Sequence, residues 1–311
     1  MFTLIQKRRW YFMISAVLLI LSLATLSYSW ITRGSPLILS IDFTGGSLLE
    51  LAFDEPVVPE RARGILEEAG FPEATVQTVA EGRQIVVRAR EMEMAEKESL
   101  TGALETVWGP STELRFESVG PVVGRETTRA AIMAILASSV AILAFIAFAF
   151  RRVPNAIRYG VCAITKMFHD VIILLGISSF LGLVLHWEVD ALFLTALVTV
   201  VGFSIQDVIV VFDRIRENST KRRNERYETL VNRSLLETLH RSLATELNAI
   251  FVMIAIIFFG GVTIRHFMTI MLLGMLTGTY SSLFFAVPLL VVWQQREWGR
   301  IFSPRRAPAA T

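Results

Sequence analysis

The sequence predicts an α-helical polytopic membrane protein with one folded polar domain set between its first and second spans. Three features carry that reading. Hydrophobic residues make up 53% of the 311-residue chain and charged residues only 19%, too apolar a balance for an ordinary soluble domain. The apolar residues fall in long runs, each supplying the ~20 helical residues that cross ~30 Å of hydrocarbon. Charge is partitioned as well, because the net charge of +2 conceals an acidic stretch from Arg33 to Arg125 within an otherwise basic chain.

Lys7, Arg8 and Arg9 precede the first apolar run, Trp10 to Trp30, which lacks a small-residue cleavage site and reads as an uncleaved signal-anchor helix. The polar segment then alternates strand and helix patterns. Leu37 to Phe53 is expected as a strand interrupted at Gly45-Gly46, and Val58 to Ala69 as a helix stopped by Gly70 and Pro72. Ala74 to Val79 and Gln84 to Arg90 form strands across an Glu81-Gly82 turn, Met92 to Trp108 a second helix, and Glu113 to Val119 a last strand. That βαββαβ order is the ferredoxin-like unit. Further spans are expected at Ala130 to Phe150, Ile157 to Leu185, Ala191 to Phe212, Leu243 to Thr263 and Phe267 to Trp293. The division is therefore a first transmembrane helix at 1–32, the polar domain at 33–127, a five-helix transmembrane bundle at 128–296 and a tail at 297–311.

Lys and Arg set the orientation. Lys7 to Arg9, Arg151, Arg152, Arg158, the basic segment from Arg214 to Arg241, and Arg296, Arg300, Arg305 and Arg306 all fall on one side. That side is expected to be cytoplasmic, with both termini on it and the acidic domain outside. The His186 to Asp190 and Arg265-His266 turns would also lie outside, and Trp30, Trp187 and Trp293 sit at expected span ends, as interfacial anchors do. The single cysteine, Cys162, lies in an apolar run and is expected to face lipid or fill space. No His/Cys cluster has metal-ligand spacing, no cofactor motif is present, and no nucleophile and base stand at enzyme-like spacing. Basic residues follow membrane topology instead of forming an aromatic-interleaved patch, which disfavours nucleic acid; contact with lipid headgroups suits them better.

Asp207 is the residue that most demands an explanation. A carboxylate inside an apolar helix costs a few kcal/mol by insertion scales, so a functional role is the first hypothesis. It shares a helical face with Ser204 and Val211, and Gln206 precedes it. On the following span Arg241, Thr245 and Asn248 line up at i, i+4 and i+7, a polar stripe expected to face Asp207. Such a pair suits a proton relay; the competing reading is a static ion pair that fixes helix packing. Glu246 lies off the Arg241 face. On the third span Lys166, His169 and Asp170 occupy i, i+3 and i+4, so that Lys166 and Asp170 can neutralise each other while His169 has the titration range of a proton shuttle. Asp213 and Arg214, with Arg216 and Glu217, mark the expected cytoplasmic boundary of the fourth span. Gly45-Gly46 is expected as a bulge or bend, Gly274 and Gly278 as a close-packing step, and Pro288 as a kink.

Asp42-Phe43-Thr44-Gly45-Gly46, Val119-Gly120-Pro121-Val122-Val123-Gly124, His169-Asp170, Gln206-Asp207, and Val210 to Asn218 occur in a fixed order along the chain. Asn232 to Leu235, Glu237 to Ser242 and Phe259-Gly260-Gly261 continue the series. In this order and spacing the chain resembles the SecF protein-export membrane proteins of the resistance-nodulation-division superfamily. It departs from their usual pattern at Gln206, Lys166 and the Ala244 to Asn248 run. The resemblance implies a bacterial cytoplasmic (inner) membrane protein that pairs with a six-span SecD, associates with the SecYEG channel, handles unfolded polypeptide in transit, and uses the proton motive force to drive export. Two other readings stay open: a proton-driven exporter of small molecules or lipids, since the superfamily includes such pumps, and a passive subunit that only braces its partner.

Overall fold

The computed structural model describes residues 3–149, 156–222 and 224–296. Phe150, Arg151, Arg152 and the 297–311 tail lie outside them. Among the described residues, six helices are long and apolar enough to cross a membrane. The chain divides into two compact units, one comprising residues 1–38 and 135–311, the other residues 39–134.

The smaller unit is built on an antiparallel sheet of β1 (Gly46–Phe53), β2 (Thr75–Val79), β3 (Gln84–Ala89) and β4 (Ser111–Val119) in the order β2-β3-β1-β4. Helix α3 (Pro59–Glu68) connects β1 to β2, and α4 (Met94–Trp108) connects β3 to β4. Alternation along β1 turns Leu49, Leu51 and Phe53 into one core with Ile85 and Val87 of β3, Leu66 of α3, and Leu100, Leu104 and Trp108 of α4. A bulge between Glu50 and Leu51 shifts the register of β1 against β4. Glu93 and Glu96 form a reciprocal capping box at the start of α4. At its other end Glu105 accepts hydrogen bonds from the Ser111 hydroxyl and amide at 2.7 and 3.0 Å, which hold its carboxyl below the usual carboxylate range.

The expected strand from Leu37 does not run unbroken into β1. Ser40 accepts from the Asp42 amide and caps a single helical turn, α2 (Ile41–Thr44), which Gly45 ends with φ +72. A short hydroxyl at the right place makes the turn locally better than extension. The two glycines are sterically required. A Cβ on Gly45 would stand 2.9 Å from Pro121 Cα, and one on Gly46, at φ +111, would stand 2.5 Å from the Ala89 carbonyl oxygen. Helix α5 (Pro121–Ala149) returns the contact: Gly124 approaches the Gly45 amide so closely that a Cβ would sit 2.8 Å from it, and Thr128 donates to the Phe43 carbonyl at 3.3 Å. The Asp42–Gly46 and Val119–Gly124 segments are thus two halves of one backbone junction.

The larger unit contains α1 (Arg8–Arg33), the remainder of α5, α6 (Ala156–Leu185), α7 (Ala191–Lys221), α8 (Tyr227–Phe259), α9 (Val262–Ser281) and α10 (Val287–Gln295). The span Ile264–Gln295 is the most buried, followed by α7 and α6, in which Cys162, Val208, Val211, Phe212 and Ile215 are fully enclosed. Cys162 is therefore packing filler and does not face lipid. Close approach relies on small residues: a Cβ on Gly274 would meet Val200 at 2.6 Å and one on Gly278 would meet Ser204 at 3.3 Å, drawing α9 against α7. Gly176 plays the same part between α6 and Ser22 of α1.

Three expectations change here. The basic Arg214–Arg241 segment is helical over most of its length, because α7 and α8 extend well past their apolar runs, α7 to Lys221 and α8 from Tyr227. Apolar and small positions at Ile215, Asn218, Leu230, Ser234 and Leu235 continue the buried face where net hydropathy falls, and that periodicity keeps the helices packed. Arg265 and His266 lie within α9; the break between α8 and α9 is at Gly260-Gly261. Finally, Pro288 is preceded by a π-helical turn, Ser282–Ala286. The wider turn accommodates a residue that lacks an amide hydrogen and crowds the carbonyl four positions earlier.

Replacing Gly46 with Ala should destabilise the β1–β3 edge by at least about 2 kcal/mol, since it combines positive-φ strain with a carbonyl clash. Hydrogen exchange on the full-length chain reads this as faster exchange in β1 and β3 with the transmembrane helices unchanged.

Candidate functional site

Two polar centres are embedded in the helices of the larger unit, and α7 contributes to both. The first lies between α6, α7 and the π turn. Lys166 and Asp170 form an ion pair at 2.9 Å with side chains 0% and 1% exposed. One turn of α6 brings them together, as their i, i+4 spacing requires. Ser204 of α7 joins both: the Lys166 ammonium donates to its hydroxyl and, at 2.9 Å, to its carbonyl, and the hydroxyl donates to Asp170 Oδ2. Ser282 adds a hydrogen bond to the Ser204 carbonyl at 3.2 Å. The other Asp170 oxygen stands 3.1 Å from His169 Nδ1, and the imidazole stacks on Phe285 with ring centres 4.4 Å apart. His169 Nε2 is buried and has no hydrogen-bond partner. Apart from that nitrogen, the centre satisfies its own charges, which is the condition under which a buried ion pair is tolerated.

The second centre is a cleft of about 190 Å³ between α7 and α8, backed by Met275 of α9 and open on the face where Gln206, Arg241 and Thr245 are exposed. Asp207 and Gln206 line it from α7; Arg241, Thr245 and Glu246 line it from α8. Its volume holds several waters at the roughly 30 Å³ each occupies in the liquid. Asp207 Oδ2 is buried without any hydrogen-bond partner. A buried acceptor left unpaired costs about 1–3 kcal/mol, and more when charged. Among the described residues no ion pair within 4.0 Å joins Asp207 to Arg241; the two face a common space across helices. Glu246, whose position off the Arg241 stripe leaves open either a place near Arg241 or a plain interface position, lines the same cavity and accepts a hydrogen bond from Thr279 of α9. The physical reason is that a cavity wall is wider than one helical stripe.

The remaining candidates fall elsewhere. Thr245 returns its hydroxyl to the Arg241 carbonyl at 3.0 Å, and Asn248 is exposed outside the cavity lining. Ser204 belongs to the first centre. Arg214 donates to Glu237 and Glu217, each at 2.6 Å, and Asn218 donates to Ser234 and Glu237 at 2.9 Å, so this segment ties α7 to α8. Asp213 pairs with Arg216 at 2.6 Å on the outer face. The Asn232 carbonyl oxygen of the side chain accepts from the Leu4 and Ile5 amides, and Arg8 pairs with Glu228 at 2.7 Å, fastening the start of the chain to α8. The Asp42–Gly46 segment belongs to the junction in the smaller unit. No group of His, Cys, Asp or Glu suited to hold a metal occurs among the described residues.

Residues 101–296 match the family described as "Protein export membrane protein SecD/SecF, C-terminal", and residues 31–57 match "SecD/SecF GG Motif". The protein translocase subunit SecF of Thermobaculum terrenum is 47% identical over 88% of this chain and 89% of its own length. The SecF subunit of Anaerolinea thermophila is 40% identical over 100% of both. A crystal structure of SecDF, "a translocon-associated membrane protein", from Thermus thermophilus superposes with a TM-score of 0.78 at 35% identity; it covers 95% of this chain, which spans only 39% of that longer one.

Breaking the first centre should be costly and replacing it whole should not. Lys166→Met alone is expected to destabilise the protein by about 3–5 kcal/mol, and Lys166→Met with Asp170→Leu to recover most of that loss. Chemical unfolding of the purified chain in detergent measures both.

Proposed function

Because the chain belongs to the SecF family of protein-export membrane proteins, we propose that it works with SecD beside the SecYEG channel, using the proton motive force to promote passage of unfolded polypeptide. Asp207 is the proton-carrying residue in this reading. The observation that carries it is the buried, unpartnered Asp207 oxygen in a cavity shared with Arg241. A static ion pair would have its charges in contact, as Lys166 and Asp170 do; Asp207 instead retains an open acceptor position that a proton can fill. The Lys166–Asp170 centre supports the relay from behind α7 by fixing the wall that carries Asp207, with Ser204 as the link, and His169, Gln206, Thr245 and Asn248 are supporting polar positions.

The protein is a multi-pass membrane protein with a role in Sec protein export. Its Lys and Arg distribution supports the bacterial cytoplasmic membrane with both termini cytoplasmic and the smaller unit outside, where it meets emerging chain. The β2-β3-β1-β4 order supports reading that unit as ferredoxin-like. Exposed apolar side chains on α5 and α8, including Val140, Phe145, Phe251 and Phe258, suit contact with lipid and with the helices of SecD. Exposed Gln206, Arg241 and Asn248 on the same membrane-facing helices α7 and α8 suit a polar partner surface better than lipid alone. One charge crossing 100 mV releases about 2.3 kcal/mol, enough to bias a domain between two arrangements.

Asp207→Asn is expected to abolish proton-driven stimulation of export in inverted membrane vesicles while the complex with SecD still co-purifies. Export at the wild-type rate under an imposed proton gradient would remove Asp207 from this role.

A further inference from the structure

The charges around the Asp207 cavity do not balance. Among the described residues, two carboxylates, Asp207 and Glu246, line it with one cation, Arg241. Among the described residues the other helices add no charge to its lining: α9 contributes Thr279 and Met275, and Lys166 of α6, although its charge reaches Glu246, is offset by its ion pair with Asp170 and held in hydrogen bonds to Ser204. In a low-dielectric setting, two carboxylates sharing one site resist being ionised together. One more positive charge is needed for neutrality.

We propose that Glu246 is a second proton-accepting residue of this cavity, so that one proton is shared between carboxylates on α7 and α8. This rests on the reading of Asp207 as the proton-carrying site. A proton leaves a hydronium ion and forms an O–H bond on Glu246, and it later leaves Glu246 and forms one on Asp207 across the cavity. No other reactant is consumed. The Thr279 hydroxyl, hydrogen-bonded to Glu246, orients the carboxyl and links its protonation to α9, the helix that continues into the π turn against Ser204. Arg241 stabilises whichever carboxylate is ionised at a given moment.

The test is chemical and uses the unaltered protein. Membranes containing the full-length chain and SecD are treated with dicyclohexylcarbodiimide, an apolar reagent that modifies protonated carboxyl groups, and adducts are located by mass spectrometry. The expected result is an adduct at Glu246 that declines about tenfold for each pH unit above its midpoint, with that midpoint moved to lower pH in Asp207→Asn, where Arg241 alone balances Glu246. No adduct at Glu246, an adduct insensitive to pH, or one suppressed by sodium at constant pH would overturn the proposal, the last by replacing the proton with a metal cation. Export supplies the second readout. Glu246→Gln keeps an acceptor for Thr279, so a packing role predicts the wild-type rate; shared protonation predicts a severalfold loss of proton-stimulated export, partly restored by Glu246→Asp. Normal export by Asp207→Asn would defeat the Asp207 reading, whereas the adduct at Glu246 is decided independently by labelling.

Discussion

Charge inside an apolar helical bundle must be neutralised or remain expensive, and α7 meets that constraint in two ways within a single turn. At Ser204 it joins a closed network in which Lys166 and Asp170 cancel and the serine satisfies both. Three residues later, at Asp207, it presents a carboxylate oxygen with no partner to a cavity. The closed network makes the open one tolerable. By locking α6 to α7, and through Ser282 to the π turn, it fixes the wall on which Asp207 stands. The glycines of α9 bring that helix within van der Waals reach of α7, which is why Gly274 and Gly278 cannot carry a Cβ without displacing Val200 or crowding Ser204.

The same economy governs the smaller unit. Gly45, Gly46 and Gly124 are places where backbone meets backbone, so the paired-glycine segment and the start of α5 form one structural element although some seventy residues of chain separate them. Nothing in that junction resembles a ligand site; its chemistry is close approach and a threonine hydroxyl on a carbonyl.

Much of this organisation is legible in the residues themselves. Long apolar runs mark the spans, strand alternation marks β1, and the i, i+4 spacing of Lys166 and Asp170 anticipates their ion pair. Other features depend on three-dimensional proximity that a helical wheel does not contain. Arg241 and Asp207 each complete a polar stripe, yet the stripes border a cavity instead of touching, and the space between them admits Glu246 from beside the stripe. Ser204 shares a face with Asp207 along α7 but turns to α6, since side chains three apart on a buried helix can meet different neighbours. Thr279 and Gly176 give no signal in isolation; only their packing partners, Glu246 and Ser22, assign them a purpose. The extension of α7 and α8 beyond the apolar runs is hidden by charge, because Arg214 and Lys221 neutralise Glu217 and Glu237 on helices that hydropathy alone would end.

The division between a closed structural centre and an open proton site is tested most directly by proton flux. Vesicles reconstituted with this chain and SecD, loaded with a pH-sensitive dye and given an imposed pH gradient, report flux without reference to export. Asp207→Asn should hold the gradient, while the Lys166→Met and Asp170→Leu double variant should dissipate it at close to the wild-type rate. Flux that survives Asp207→Asn but disappears with the double variant would contradict the assignment and move the proton site to the α6 network.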